Sequence, residues 1–417
     1  MNFYMQLDGK GDKSTMVENT MEKEVENIEE PIRILQYVRV LDNGGIEKFI
    51  FSYLENMDRD KVNFDFLLTR NQEESYDEEL KSLRCRKEIV EMKLTKIPVI
   101  RCVESYVKLK RFFTNHDYKI IHFQSVGETI GGAFAILAAK HAGVPVRIVH
   151  GHSAAYDDEV FYKKILQKLG RKAHMAWGTH WFACSKEAAL LSFGEEACNQ
   201  GKVQYIHNAI HSSDYQYFKE DRETIRKELG IREKFVIGNI GRMSPPKNHF
   251  FMVDVLQKIL EKRPDAMLLF VGGYSTSYNG YFESIRKYVH KMGLDNKVIF
   301  TGERKDANRL LNAMDVFLFP SLWEGLGIVA VEAQANGLPV VASTKVPKDT
   351  KLTDLIQYVD LKDTLDIWAE VILKSVTQKE RKSHGMEIKA KGYDLETEAV
   401  RLQEIYQKLI AYKESAI

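Results

Sequence analysis

The chain has 417 residues, 44% of them apolar and 29% charged, with a net charge of +1. That length suits two domains of roughly 150–200 residues better than one core. The balanced charge makes no whole-protein case for nucleic-acid binding, and no apolar run reaches the ~18 residues of a membrane-spanning helix.

Residues 1–30 are polar and turn acidic towards their end. They lack the basic-then-apolar build of a signal peptide and are expected to form a flexible tail, helical near 17–29. The four cysteines, Cys85, Cys102, Cys184 and Cys198, include no C-x-x-C pair. Neither a disulfide framework nor a structural zinc site is expected, and a reducing cytosol fits.

From Ile32 onward, β-branched runs alternate with helical periodicity, the pattern of parallel α/β domains. Strands are expected at 32–41, 62–69, 119–125, 145–152, 180–185 and 202–209, then at 234–242, 266–273, 297–302, 315–321 and 338–343. Helices are expected between them, at 47–57, 129–142, 249–262, 280–292 and 329–336, with a last one at 394–414. The stretch 211–233 carries charge and a helix but no strand, which divides the chain into domains at 31–212 and 213–393. Two Rossmann-like domains facing across a cleft follow from this pattern. Ligands of open α/β sheets bind at the carboxyl ends of strands, so residues just after strands carry the functional argument.

After the first strand comes "VLDNGGIEKF" (40–49). Gly44 and Gly45 permit close approach of the backbone to a ligand. The run is neither G-x-G-x-x-G nor a P-loop, and a tight turn explains it equally well. The Asp-x-Asp string in "MDRD" (57–60) precedes a strand and reads as a turn. "RIVHGHS" (147–153) places His150 and His152 at a strand end. They are candidate acid–base groups, of which only one is expected to face the cleft, and no third ligand nearby supports a metal. "FYKKILQKLGRKAH" (161–174) holds five Lys/Arg and no acid, with apolar residues at 161, 162, 165, 166 and 169. Two readings stay open: residues 161–172 lie on an anionic membrane surface, or the stripe packs in the core with its lysines in water. "KLKRFF" (108–113) is a second basic cluster.

In the second half, "GNIGRMSPPKNHF" (238–250) follows a strand. Ser244 is expected as an N-cap, with Pro245 and Pro246 in the first helical turn. Arg242 and Lys247 then flank a helix start, an arrangement that suits a diphosphate. "DVFLFPSLWEGLGIVAVEAQAN" (315–336) reads as strand, exit loop and short helix. It puts Glu324 in the loop and Glu332 about one turn into the helix. The plain alternative is a surface loop residue and a solvated helix charge, but the flanking residues are apolar on both sides.

Together these elements resemble glycosyltransferase family 4, the retaining transferases of GT-B fold. Glu324 and Glu332 match its E-x7-E motif, "GRMSPPKN" its G-R-x4-K-N element, "DNGGIE" its Gly-Gly loop and "VHGHS" its His loop, with His152 the better aligned. "STKVPKDTKLTDLIQYVDL" (343–361) is similar to the corresponding segment of bacterial exopolysaccharide and capsule transferases. "VQYIHNAIHSSDYQYF" (203–218) resembles the interdomain segment, with His207 and Ala209 in place of its usual Pro and Gly. The likeness spans roughly 32–412.

The resemblance implies an acceptor domain at 31–212, joined by the C-terminal helix from 394, and a nucleotide-sugar donor domain at 213–393. Arg242 and Lys247 would neutralise the donor diphosphate, Glu332 bind the ribose and Glu324 the transferred sugar, helped by the backbone of Gly327 and Ile328. Gly45 would approach the diphosphate, His152 the sugar, and Gly272 and Arg304 the base. The partners it implies are a nucleotide sugar, most simply a UDP-sugar, and a lipid-linked glycan acceptor, with neither cofactor nor metal. A GT-B nucleotide-sugar epimerase and a non-catalytic scaffold of a polysaccharide assembly complex are the alternatives. A dehydrogenase is disfavoured by the missing G-x-G-x-x-G.

Overall fold

The computed structural model describes residues 30–39, 41, 45–70, 76–92, 98–124, 130–152, 161–274, 278–376 and 380–414. The tail expected at 1–30 thus lies, but for its last residue, outside the described residues, as does Gly44.

The first sheet has seven parallel strands: β1 Ile32–Tyr37, β2 Val62–Leu68, β3 Lys87–Ile89, β4 Ile120–Phe123, β5 Val146–Gly151, β6 His180–Ala183 and β7 Val203–Tyr205. Their order is β3-β2-β1-β4-β5-β6-β7. The second has six: β8 Phe235–Ile240, β9 Ala266–Val271, β10 Val298–Phe300, β11 Val316–Phe319, β12 Val340–Ser343 and β13 Ile356–Val359, in the order β10-β9-β8-β11-β12-β13. The α/β class with two parallel sheets is as expected. Strands β2, β8 and β11 are buried along their whole length, as strands covered by helices on both faces must be.

Two strands escape the sequence pattern, β3 and β13. Both are sheet edges, and polar residues interrupt both, Lys87 and Glu88 in β3 and Gln357 in β13, so neither offers an apolar run. The strand expected at 202–209 shortens to β7, because beyond Ile206 the chain leaves the sheet.

The chain crosses to the second domain after β7 and returns at 393–395, where Ile210 N donates to Tyr393 O and Leu395 N to Ile210 O. His207 stacks on Tyr393 with ring centroids 4.4 Å apart. The C-terminal helix Leu395–Glu414 lays Leu395, Ala399, Leu402 and Tyr406 into the first domain's core beside Ile34 and Phe64, the spacing of one helical face. Among the described residues no helix is long and apolar enough to cross a membrane.

Each sheet reverses its strand order once, between β1 and β4 and between β8 and β11. Ligand crevices of open sheets open at such reversals. The Gly-Arg loop follows β8 and the glutamate loop follows β11, so both flank the second reversal.

Candidate active site

Beyond β8 the structure departs from expectation. Pro245–Lys247 form a separate 3-10 turn, and the helix His249–Leu260 starts only after Asn248. Ser244 does hold the N-cap position, with Pro245 and Pro246 in the first turn, but of this 3-10 turn rather than of the long helix, and its side chain caps no N–H; its hydroxyl donates to Arg242 O at 3.3 Å. The cause is Asn248, in left-handed conformation with φ +61°, which ends the turn. Asn tolerates that region, and its side chain donates to Pro320 O at 3.2 Å. With Leu322 N donating to Pro246 O at 2.8 Å, the loops after β8 and β11 are stitched together.

That stitching brings Lys247 to Glu324. The Lys247 Nζ lies 2.6 Å from Glu324 Oε1, with side chains only 17% and 12% exposed. Ser321 Oγ donates to the same oxygen at 2.7 Å. The lysine stem crosses Gly241, where an added Cβ would come within 3.1 Å of Cε. Its ammonium sits 5.1 Å from the Phe319 ring centre. The neighbouring Arg242 is exposed.

Glu332 lies in the helix Ile328–Ala335 and accepts a hydrogen bond from Tyr215 OH at 3.0 Å. Burial pushes its carboxyl above the ordinary value, opposed by the Tyr215 bond and by the charges of Lys48 and Lys247. One lysine therefore acts on both glutamates. Gly327 precedes this helix at φ +86°, where an added Cβ would meet Phe319 at 2.9 Å. Ile328 opens the first turn, whose N–H groups have no partner within the helix.

Gly272 follows β9 at φ +146°, and an added Cβ would lie 2.1 Å from Gly241 O. It lets the chain press against the Arg242 loop. Arg304 is held elsewhere. Its guanidinium grips Asp306 through two bonds of 2.7 and 2.8 Å and Glu228 at 2.7 Å, so the structure does not bring it to the lysine–glutamate pair.

In the first domain, Gly45 opens the helix Gly45–Glu55 with open space around its Cα. His150 and His152 do not divide between faces. Their rings lie against each other, centroids 4.0 Å apart, because residues two apart on a strand share a face. His152 Nε2 is 2.6 Å from Gln124 Oε1. Burial pushes its imidazole down to about 3 and that of His150 well below the ordinary value.

The domains touch beside this site. Ser185 Oγ donates to Gly325 O at 3.0 Å, and Lys186 N to the Asp349 carboxylate at 2.6 Å. Tyr215, Ser321, Ser185 and Gln124 were not singled out by motif spacing. Ser321 alone carried a local signal, three residues before Glu324. A cavity of about 840 Å³ opens at the opposite, amino ends of β11–β13, and none of the candidate residues lines it.

A structure of Alr3699/HepE from Anabaena in complex with UDP and glucose superposes with a TM-score of 0.72, covering 90% of this chain and all of that one at 19% identity. The fold is GT-B. Residues 221–349 match the family described as Glycosyl transferases group 1, a span that holds every second-domain candidate and none of the first domain's. The chain is 28% identical to EpsF of Bacillus subtilis, provisionally named a glycosyltransferase, over 90% of this chain and 96% of that one. It is also 28% identical to an Escherichia coli enzyme named UDP-Gal:alpha-D-GlcNAc-diphosphoundecaprenol alpha-1,3-galactosyltransferase, over 59% of this chain and 63% of that one. Together these findings support a glycosyltransferase built on the GT-B fold.

Proposed function

We propose that the chain transfers a hexosyl or N-acetylhexosaminyl unit from a UDP-sugar to a lipid-linked, growing exopolysaccharide or capsule glycan, with retention of configuration and without a metal. The observation that carries this reading is the buried Lys247–Glu324 pair at the reversal between β8 and β11, with Glu332 in the field of the same lysine. A diphosphate entering there draws Lys247 away from Glu324 and is met by Arg242 as well. The freed carboxylate then accepts hydrogen bonds from sugar hydroxyls, and Glu332 from the ribose.

In the transfer, the acceptor hydroxyl attacks the anomeric carbon on the face the diphosphate leaves. The new C–O bond forms as the bond to the diphosphate breaks, and the hydroxyl proton passes to the departing phosphate oxygen. Lys247 and Arg242 stabilise the charge that develops there. UDP is favoured by the Anabaena complex and by the name of the Escherichia coli relative, which also names a diphosphoundecaprenol acceptor.

Isothermal calorimetry with a panel of nucleotide diphosphates, bare and sugar-linked, tests the donor site. One nucleotide should bind wild type and weaken in Glu332→Ala; no binding at millimolar concentration overturns the reading. Full transfer in EDTA is expected, and strict metal dependence would bring back the Asp-x-Asp string. Conversion of the sugar nucleotide without any acceptor would favour the epimerase instead.

The membrane reading gains support from the helix Phe161–Trp177, where Ile165 and Leu169 are 47% and 46% exposed rather than packed inward. Lys164, Lys168 and Lys172 are exposed beside them. The helix Pro98–Thr114, in the same layer of the first sheet, exposes Ile100, Val103 and Val107 alongside Arg101, Lys110 and Arg111. Apolar residues framed by cations suit an anionic leaflet. Flotation with vesicles should require anionic lipid; equal flotation with neutral vesicles removes this part of the proposal.

A further inference from the structure

Two glutamine side chains meet at the reversal of the first sheet. Gln36 lies on β1 and is fully buried, while Gln124 follows β4 directly and is 3% exposed. Gln124 Nε2 donates to Gln36 Oε1 at 2.9 Å. The other end of the same amide faces His152, with Gln124 Oε1 2.6 Å from the ring Nε2. An amide oxygen only accepts, so that ring nitrogen carries the proton. The ring is neutral, since burial disfavours its charged form. A neutral imidazole has one proton, which leaves Nδ1 with a bare lone pair.

The ring is also confined. His150 lies against it, and Phe49 meets it edge-on at 5.4 Å between centroids. His150 belongs to a separate buried chain. Tyr406 OH is 2.7 Å from His122 Nδ1, and His122 Nε2 is 3.2 Å from His150 Nδ1. That chain packs behind His152 without bonding to it, so among the described residues the amide alone orients the His152 ring nitrogens.

We infer that Gln124, held by Gln36, is a positioning residue that fixes His152 as the Nε2–H tautomer and presents Nδ1 as a hydrogen-bond acceptor to a hydroxyl of the transferred sugar. The sugar contact rests on the proposed transfer reading; the tautomer does not. His152 therefore takes a hydrogen bond from the sugar and gives none. It delivers no proton to the leaving diphosphate, which receives its proton from the acceptor hydroxyl.

The test is long-range 1H–15N correlation on the full chain labelled with 15N-histidine. The chain has 12 histidines, and His152 is assigned by the signals lost in His152→Gln. In wild type it should appear neutral and protonated at Nε2. Gln124→Leu should mix or reverse the tautomer, whereas Gln124→Glu, which still accepts, should keep it and raise the titration midpoint of His152. An Nδ1–H form in wild type, or an unchanged tautomer in Gln124→Leu, overturns the inference. Calorimetry supplies the second readout, with UDP and UDP-glucose as probes. Gln124→Leu should weaken UDP-glucose roughly tenfold more than UDP, the loss of about one hydrogen bond. Equal losses for both would mean a merely structural role and overturn the sugar contact. Because the spectra need no donor, the expected tautomers in a protein that binds neither probe would uphold the tautomer and sink the transfer reading.

Discussion

At the candidate site the second domain contributes charges, and the first contributes neutral rings and amides. Lys247 and Glu324 form an ion pair in a place largely shut off from water. His152 faces Gln124 with no charge on either. On the proposed transfer reading, the difference follows from what each has to stabilise. Charge that builds on a leaving diphosphate calls for fixed cations in a low-dielectric site. A sugar hydroxyl calls only for a directed acceptor. It also follows that removing one partner should do far more damage on the charged side.

The sharpest way to break that comparison is Lys247→Ala. It leaves Glu324 as an unpaired, largely buried carboxylate, which costs about 3–5 kcal/mol. It also removes charge stabilisation, so transfer should fall roughly 10²–10³-fold. Urea denaturation and a donor-dependent transfer assay read the two losses. The double variant Lys247→Met with Glu324→Gln should regain stability but not transfer. A single variant with near-normal rate removes Lys247 from its role.

Two glycines carry the comparison to the backbone. Gly272→Ala forces a Cβ against Gly241 O at a φ of +146°, so a loss of about 1–3 kcal/mol and weaker diphosphate binding are expected. Gly45→Ala meets open space, and its stability should stay within about 0.5 kcal/mol of wild type. If nucleotide affinity nevertheless drops in Gly45→Ala, the ligand itself comes close to that backbone.

These cases also show what the sequence could and could not reveal. The two-sheet fold was legible because β9 and β11 are unbroken apolar runs and β2 and β8 are mostly apolar, and the motifs because each directly follows a strand. The edges β3 and β13 were hidden by their polar residues. The pairings were hidden by distance along the chain: Lys247 and Glu324 are 77 residues apart, Tyr215 and Glu332 117. The left-handed Asn248 depends on a Pro320 carbonyl that no local pattern announces. The histidine pair is different, since its two-residue spacing already placed both rings on one face; that was available from strand geometry alone.

Glu332 offers a smaller effect whose sign is informative. Its carboxyl is raised by burial, so the folded state favours the protonated form. The stability this contributes is fully present below the ordinary carboxyl pKa and is lost as pH rises through the raised value. Gln in its place keeps an acceptor for Tyr215 and carries no charge. Glu332→Gln should therefore match wild type near pH 4 and become the more stable protein as pH rises to 7, while binding nucleotide less well. Denaturation curves at both pH values read the gap, and a gap that narrows with rising pH contradicts the burial argument.

The smallest effect lies where the two domains touch. Asp349 places its carboxylate on Lys186 N, at the start of the helix Lys186–Phe193 in the other domain. An anion at a helix start contributes about 0.3–1 kcal/mol and is screened by salt. Asp349→Asn retains an acceptor and loses only the charge, so its melting point should fall slightly at low ionic strength and converge on that of wild type in high salt. The neighbouring Ser185–Gly325 bond joins uncharged groups and should not respond to salt, which makes Ser185→Ala the control. If Asp349→Asn instead shows a deficit that persists in high salt, the contact between the domains depends on the shape of the side chain rather than on its charge. The division between a charged wall and a neutral one would then stop at the candidate site and not extend to the surface where the domains meet.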